Sequence, residues 1–236
     1  MALVTGGSGG IGAAICRHLA LAGASVAIGY ASNAEPAEAL AAELTDGARS
    51  AQAFGADLAD PSAPAELIAG IERALGGVDV LVANHGRAHQ AAYEDIDAEA
   101  FDRTLAINLR APFLLAQAAL PGMRERGFGR VLFISSAAAF RGGVIGPDYA
   151  ASKAGLHGLT HFLASRTAKD GVTVNALAPG FIQTAMLPGD PAALAEAVPV
   201  GRVGEPEEVA DLALAILRNA YLTNHVLSLD GGMHPR

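Results

Sequence analysis

The feature that most constrains the fold is a glycine-rich segment between an apolar run and a helical pattern at the start of the chain. Residues Thr5 to Gly12 read T-G-G-S-G-G-I-G and follow the predicted strand Ala2–Thr5. Glycines allow a tight turn, close approach of the backbone to a pyrophosphate, and close packing of helix against strand. The N-terminus of the following helix offers free N–H groups to an anion. The segment therefore predicts a dinucleotide-binding turn, in the strand–turn–helix context that this motif requires.

Apolar runs alternate with helical patterns along the rest of the chain. Val78–Ala83 is nearly all apolar, as expected of a strand buried on both faces of a parallel sheet. Seven strands are predicted, at Ala2–Thr5, Ser25–Tyr30, Ala51–Ala56, Val78–Ala83, Arg130–Ser135, Val172–Ala178 and Val226–Leu229. Six helices are predicted, at Ile11–Leu21, Ala34–Leu44, Ala63–Leu75, Phe101–Arg126, Tyr149–Ala168 and Pro206–Leu217. This alternation predicts an α/β fold: one domain over residues 1–236, with a doubly wound parallel sheet of about seven strands flanked by helices.

Composition and charge exclude several classes of protein. Of the 236 residues, 51% are hydrophobic and 17% charged, which excludes a disordered chain. The net charge of −8 argues against a nucleic-acid partner. No apolar run reaches the roughly 18 residues of a membrane span, and the N-terminus lacks the basic region of a signal peptide. Cys16 stands alone, and His157 with His161 lacks an evident third ligand, so we expect no metal. A soluble, cytoplasmic protein is expected.

A tyrosine and a lysine form the candidate catalytic pair. Tyr149 and Lys153 are four residues apart on a predicted helix, so they share one face. An ammonium near a phenol favours the phenolate and lowers the phenol pKa, so Tyr149 can exchange a proton with a carbonyl or an alcohol. Ser135 and Ser136 end the preceding strand, where a hydroxyl can hydrogen-bond the substrate oxygen.

The glycine-rich segment also allows a different interpretation. Residues 6–10 fit the G-x-S-x-G nucleophile elbow of α/β hydrolases, with Ser8 as the nucleophile. That elbow normally follows a strand in the middle of the sheet, whereas Ser8 follows the first one. A dinucleotide site is therefore the favoured interpretation.

Together the motifs resemble those of the short-chain dehydrogenase/reductase family, in its single-domain Rossmann form. The C-terminal segment Tyr221–Gly232 is similar to that of β-ketoacyl-acyl-carrier-protein reductases. The matching motifs are Thr5–Gly12, Asp57, Ala83–Gly86, Asn108, Ser136, Tyr149 with Lys153, and Pro179–Thr184. They cover essentially the whole chain in the family's order.

The resemblance implies a catalytic set of Asn108, Ser136, Tyr149 and Lys153. In this set, the resemblance implies that Tyr149 is the general acid and that Ser136 polarises the carbonyl. Lys153 is expected to bind the nicotinamide ribose and to lower the pKa of Tyr149. Asn108 is expected to hold a water that belongs to a proton relay. The implied cofactor-binding residues, besides Tyr149 and Lys153, are Gly6, Ser8, Gly9, Ile11 and Gly12 at the phosphates, Asp57 and Leu58 at the adenine, Asn84 and Gly86 at the riboses, and Pro179, Gly180, Ile182 and Thr184 at the nicotinamide.

The end of the second strand bears on the choice of cofactor. NAD enzymes usually place a carboxylate there for the ribose 2′-hydroxyl, and residues 29–33 contain none. Ser32 and Asn33 can donate hydrogen bonds to a 2′-phosphate. Gly9, however, stands where many NADP-dependent relatives carry an arginine. We expect NADP(H) rather than NAD(H).

The resemblance also implies a substrate: a ketone, most simply a 3-oxoacyl thioester of coenzyme A or acyl carrier protein, as in fatty acid or polyketide metabolism. Gly127 and Asp170 replace the basic residues of relatives that dock the carrier protein. Nearby basic residues leave a docking patch open as a possibility; they are Arg124, Arg126, Arg130 and Lys169. The segment Ala185–Val198 is predicted to be a short loop over the substrate entrance rather than a long lid helix.

Several alternatives stay open. The same fold can serve an NAD-dependent secondary-alcohol dehydrogenase or a non-catalytic dinucleotide-binding protein. His85 stands where the family usually has alanine, either as a tolerated change or as a residue that tunes binding. The apolar faces of Phe101–Met123 and Leu156–Leu163 lead us to expect a homotetramer, by analogy with the family.

Overall fold

The computed structural model describes residues 1–47 and 49–234, and its centre is one parallel sheet. The strand order is β3-β2-β1-β4-β5-β6-β7, and every pair of neighbours is parallel. The strands are β1 Ala2–Thr5, β2 Val26–Tyr30, β3 Ala51–Gly55, β4 Val80–Ala83, β5 Gly129–Ile134, β6 Val172–Pro179 and β7 Val226–Leu229. The order reverses between β1 and β4, where open α/β sheets bind their ligands. The predicted fold class is confirmed. The predicted domain, residues 1–236, includes residues 48, 235 and 236, which lie outside the described ones.

Helices cover both faces of the sheet. They are α1 Gly10–Leu21, α2 Glu35–Leu44, α3 Ala63–Leu75, α4 Ala98–Leu105, α5 Ala111–Glu125, α6 Ala138–Arg141, α7 Pro147–Thr167, α8 Pro191–Ala195 and α9 Pro206–Arg218. Short 3₁₀ turns lie at Tyr93–Asp95 and Ala168–Asp170.

Strand residues alternate between two apolar cores. Val4, Ile28 and Val82 pack under α1, α2 and α9, whereas Leu3 and Leu81 pack under α3, α5 and α7. Because both faces are covered, the strands are apolar at successive positions, which explains the continuous runs in the sequence.

The predicted helix Phe101–Arg126 differs most from the structure. The helical segment begins earlier, at Ala98, and a π-helical turn, Ala106–Arg110, divides it into α4 and α5. The predicted strand edges differ by at most two residues. Among the described residues, no helix combines the length and apolarity needed to cross a membrane.

Candidate active site

The glycine-rich turn lies at the carboxyl end of β1 and leaves an open cradle. Gly6 has a φ of 60°, and a Cβ at Gly12 would lie 2.1 Å from the Gly6 carbonyl oxygen. Gly9 is the N-cap of α1 and has no atom within 4 Å of its Cβ position. Adding a side chain at Gly12 would therefore break the turn, whereas the space beside Gly9 is free. This cradle fits the pyrophosphate of a dinucleotide, together with the half-buried Ser8 and Ile11 that line it.

The end of β4 supports the turn. The Asn84 carboxamide donates to the carbonyl oxygens of Thr5 (3.2 Å) and Gly6 (3.0 Å). A Cβ at Gly86 would lie 3.4 Å from Lys153 Nζ and 3.5 Å from Asn108 Oδ1. Asn84 thus shapes the predicted phosphate site, and Gly86 adjoins the predicted catalytic residues.

The end of β6 and the segment that follows it, residues 179–184, lie next to the glycine-rich turn. The Pro179 carbonyl accepts a hydrogen bond from Ala137 N–H, and Gly180 N–H donates to Leu229. Ile182 is buried and pairs with Gly204. The Thr184 methyl would lie 2.6 Å from a Cβ at Gly10, so this segment lies directly against the glycine-rich turn.

The predicted adenosine end of the cleft is exposed. Ser32 and Asn33 follow β2 at the surface, and Asn33 Oδ1 accepts from Glu35 N–H at 3.2 Å. Asp57 Oδ1 accepts from Ala59 N–H at 3.0 Å, and Leu58 is half-buried beside the core. Within the described residues no hydrogen bond engages the Asn33 NH₂ group, so it can donate to an anion.

Tyr149 and Lys153 lie on one face of α7 and are both buried, at 7% and 4% exposure. Burial raises the pKa of Tyr149, and a hydrogen bond with Ser136 opposes this effect. Burial also lowers the pKa of Lys153 to about 8. The predicted lowering of the Tyr149 pKa by Lys153 is not seen. Lys153 Nζ lies 5.8 Å from the phenol ring centroid and donates to the Ile134 carbonyl at 2.8 Å.

Ser135 and Ser136 have different surroundings. Ser135 is buried, and its hydroxyl donates to the Lys153 carbonyl at 3.0 Å and contacts His157 Nε2 at 2.9 Å. Ser136 is half-buried and lies beside Tyr149, where it lowers the pKa of the phenol. Ser135 therefore anchors α7, whereas Ser136, the predicted substrate-binding serine, remains partly accessible.

Asn108 lies in the π-helical turn and is fully buried. Its Oδ1 accepts from Arg87 N–H at 2.7 Å, and its Nδ2 donates to the Arg87 carbonyl at 2.9 Å and to Ser152 Oγ at 3.1 Å. Ser152 Oγ donates in turn to the Tyr149 carbonyl at 2.7 Å. Asn108 therefore connects the loop after β4 to α7, which carries Tyr149 and Lys153. Within the described residues, no hydrogen bond joins Asn108 to Lys153.

Three connecting residues were missed as site residues. Arg87 and Ser152 carry no motif, and their contacts with Asn108 link positions far apart in sequence. His85 stood out only as a departure from the family pattern. In the structure its ring contacts Thr5 Oγ1 at 2.6 Å and the Ile107 carbonyl at 2.9 Å.

Most of the basic residues near β5 that could form a docking patch are already paired within the protein. Arg124 pairs with Asp170 at 2.5 Å, and Arg126 pairs with Asp79 at 2.9 Å. Arg130 is buried, and its guanidinium bonds backbone carbonyls, including that of Leu217 at 3.1 Å. Of the four basic residues, Lys169 alone has no such partner within the described part of the chain.

The predicted loop over the substrate entrance contains one short helix, α8, of five residues. Asp190 caps it by accepting from Ala192 N–H at 3.1 Å. The prediction that no long helix forms there agrees with the structure.

Comparisons with known proteins agree with this geometry. A family model described as short chain dehydrogenase matches residues 1–193. An acetoacetyl-CoA reductase of Rhizobium meliloti (strain 1021) is 39% identical over 241 residues, covering 99% of this chain and 98% of the relative. A 3-oxoacyl-[acyl-carrier-protein] reductase of Vibrio cholerae serotype O1 is 37% identical over 242 residues, covering 99% and 97%. The crystal structure of a blue fluorescent protein from a metagenomic library, in complex with NADPH, superposes with a TM-score of 0.93 at 38% identity and covers 99% and 97% of the two chains. The chain therefore belongs to the short chain dehydrogenase family.

Proposed function

We propose that this protein is an NADPH-dependent ketoreductase that acts on 3-oxoacyl thioesters. The observation that carries the proposal is the position of half-buried Ser136 beside buried Tyr149 and Lys153, next to the glycine cradle. A carbonyl oxygen at this pair would meet two hydroxyl donors. The similarity to acetoacetyl-CoA and 3-oxoacyl reductases supports the choice of a β-keto substrate.

The cofactor proposal rests on the exposed end of β2 and on the NADPH complex of the fluorescent relative. Ser32 and Asn33 present uncharged donors and no carboxylate that would repel a 2′-phosphate. We infer that the cradle residues hold the pyrophosphate, that Asp57 and Leu58 flank the adenine, and that Ile182 and Thr184 flank the nicotinamide. When bound, the cofactor supplies the hydride, and the protein supplies position and charge.

The acid in this mechanism is Tyr149. Its raised pKa keeps the phenol protonated at neutral pH, so it can donate a proton to the developing alkoxide. Ser136 donates a hydrogen bond to the same oxygen and orients the ketone. Lys153 carries a positive charge below a pH of about 8, which stabilises the phenolate that remains after proton transfer. Asn108, in the π-helical turn, is proposed to hold a water that links Lys153 to solvent and so helps to return the proton.

The thioester carrier is proposed to be coenzyme A. Docking of acyl carrier protein, which is acidic, needs available cations, whereas Arg124 is paired with Asp170 and Arg126 shares Asp79 with the N-terminal ammonium. The short α8 leaves the entrance accessible to a small thioester.

The assembly is proposed to be a homotetramer. A groove of about 530 Å³ between α4, α5 and α7 is lined by apolar side chains that include Leu105, Leu109 and Phe113. Such a face is typical of a contact between copies of a chain. Sedimentation velocity tests this assembly, and a monomer would contradict it.

Initial rates test the function. With acetoacetyl-CoA as substrate, we expect NADPH to be consumed at least about tenfold faster than NADH at equal concentration, since a tenfold preference needs only ~1.4 kcal/mol. Faster use of NADH would overturn the cofactor proposal. No oxidation of either cofactor would overturn the substrate class.

A further inference from the structure

Within the described part of the chain, the bonding pattern of the π-helical turn provides no backbone donor for one carbonyl. In this turn the Ala111 N–H bonds the Ala106 carbonyl five residues earlier. The next donor in the same pattern, for the Ile107 carbonyl, would be residue 112. That residue is Pro112, which has no N–H. A carbonyl left without a donor inside a protein is costly, so another group must supply one.

His85 supplies that donor. Its Nε2 lies 2.9 Å from the Ile107 carbonyl oxygen, which can only accept, so Nε2 carries the hydrogen. Its Nδ1 lies 2.6 Å from Thr5 Oγ1 and accepts from that hydroxyl. Burial and the nearby Lys153 charge lower the pKa of His85 to about 3, so the ring is neutral and has one donor and one acceptor.

The bond fixes two segments that both touch Asn108. Ile107 precedes Asn108 in the π-helical turn, and Arg87 follows His85 by two residues. Asn108 holds the Arg87 backbone by two hydrogen bonds, of 2.7 Å and 2.9 Å. The imidazole thus joins the end of β1, the loop after β4 and the π-helical turn at one point.

We propose that His85 is a positioning residue that holds Asn108 and the loop at Gly86 against the catalytic helix, by replacing the backbone donor that Pro112 removes. The proposal rests on the proposed ketoreductase function for its kinetic readout. It explains why a ring with one donor and one acceptor is present here: each of its nitrogens is used.

A double-mutant cycle tests the proposal. His85→Ala removes the donor and should lower kcat on the order of tenfold, with KM for acetoacetyl-CoA within about twofold, because a small displacement of a catalytic group costs rate rather than binding. Pro112→Ala alone should leave kcat within about twofold. In the double variant, the new N–H at residue 112 can reach the Ile107 carbonyl, so kcat should recover to within about threefold of the unmodified protein.

A conservative variant gives a matched control. His85→Gln offers one amide donor and one carbonyl acceptor, as the neutral ring does, and should retain kcat within about threefold. Loss of kcat in His85→Ala that neither Gln nor Pro112→Ala restores would show that the ring only fills space, which overturns the proposal. Full activity of His85→Ala would overturn it as well.

Hydrogen exchange provides a readout that does not depend on turnover. The Arg87 N–H is bonded to Asn108, so it should exchange faster in His85→Ala and return toward the original rate in the double variant. If the unmodified protein reduces no ketone, the proposed function fails, and exchange at Arg87 still decides the positioning role. Unchanged exchange in His85→Ala would refute that role.

Discussion

Gly12 and Gly9 form a matched pair that tests the dinucleotide cradle. In Gly12→Ala, the new Cβ would lie 2.1 Å from the Gly6 carbonyl oxygen and 2.7 Å from Asn84 Nδ2, far inside the 3.4 Å of an ordinary contact. The Gly6 backbone would have to move, although alanine favours a helix over glycine by ~1 kcal/mol. In Gly9→Ala, the Cβ meets nothing within 4 Å. The same substitution, three residues apart, is therefore expected to disturb the turn at Gly12 and to leave it nearly unchanged at Gly9.

The expected magnitudes follow from these distances. Overpacking against a rigid backbone costs ~1–3 kcal/mol, and displacement of a binding group by about 1 Å can cost ~10²-fold. We therefore expect the dissociation constant for NADPH to rise at least about tenfold in Gly12→Ala, which corresponds to ~1.4 kcal/mol. In Gly9→Ala it should stay within about fivefold, since replacing a glycine N-cap by alanine costs ~1 kcal/mol at most.

The assay is a titration that follows the fluorescence of NADPH itself. The protein contains no tryptophan, so emission from the protein interferes little. Circular dichroism and thermal unfolding of both variants show whether Gly12→Ala still folds. Equal NADPH affinity of a folded Gly12→Ala and the unmodified protein would refute the assignment of this turn to the pyrophosphate.

Three further predictions concern Tyr149, Lys153 and His85. Tyr149→Phe should lower kcat for acetoacetyl-CoA reduction by ~10²–10⁴-fold because the general acid is lost. Its NADPH affinity should stay within about threefold. An unchanged kcat in initial-rate assays would contradict this role. The pKa of Lys153 is lowered to about 8, so the rate of ketone reduction should be constant below that pH and fall above it as the ammonium is lost; a flat profile to pH 10 would contradict its charge role. The pKa of His85 is lowered from 6.5 to about 3. The neutral ring therefore contributes fully to the free energy of unfolding above pH 6.5, and this contribution is lost as the pH falls toward 3. That loss should reach ~1.4 kcal/mol per pH unit. Urea unfolding at pH 7 and pH 5 should show a smaller acid effect in His85→Gln than in the unmodified protein.

Periodicity was sufficient to predict the sheet. All seven strands were located, the inner ones because burial on both faces makes runs such as Val78–Ala83 nearly all apolar. The interruption of the long helix was not predicted. The π-helical turn at Ala106–Arg110 depends on tertiary contacts. One extra residue in a single turn also changes the apolar pattern of an 11–18-residue window too little to be detected.

The predicted site residues also differ in whether local sequence reveals them. Tyr149 and Lys153 were found from local spacing, since a helix places positions i and i+4 together. The contacts of Asn108 with Arg87 and Ser152 span 21 and 44 residues, and that of His85 with Thr5 spans 80. No sequence window shows such contacts. The ion pair of Arg124 with Asp170 was missed for the same reason, although both residues had been noted.

Transfer of an isotope label tests the central claim most directly. NADPH deuterated at the nicotinamide C4 is incubated with acetoacetyl-CoA and the protein, and the product is analysed by mass spectrometry, with Tyr149→Phe as the control. We expect 3-hydroxybutyryl-CoA carrying one deuterium at C3 when the transferred face is labelled, and almost no product with Tyr149→Phe. Product without deuterium from either labelled face, or equal product from Tyr149→Phe, would contradict the proposed ketoreductase.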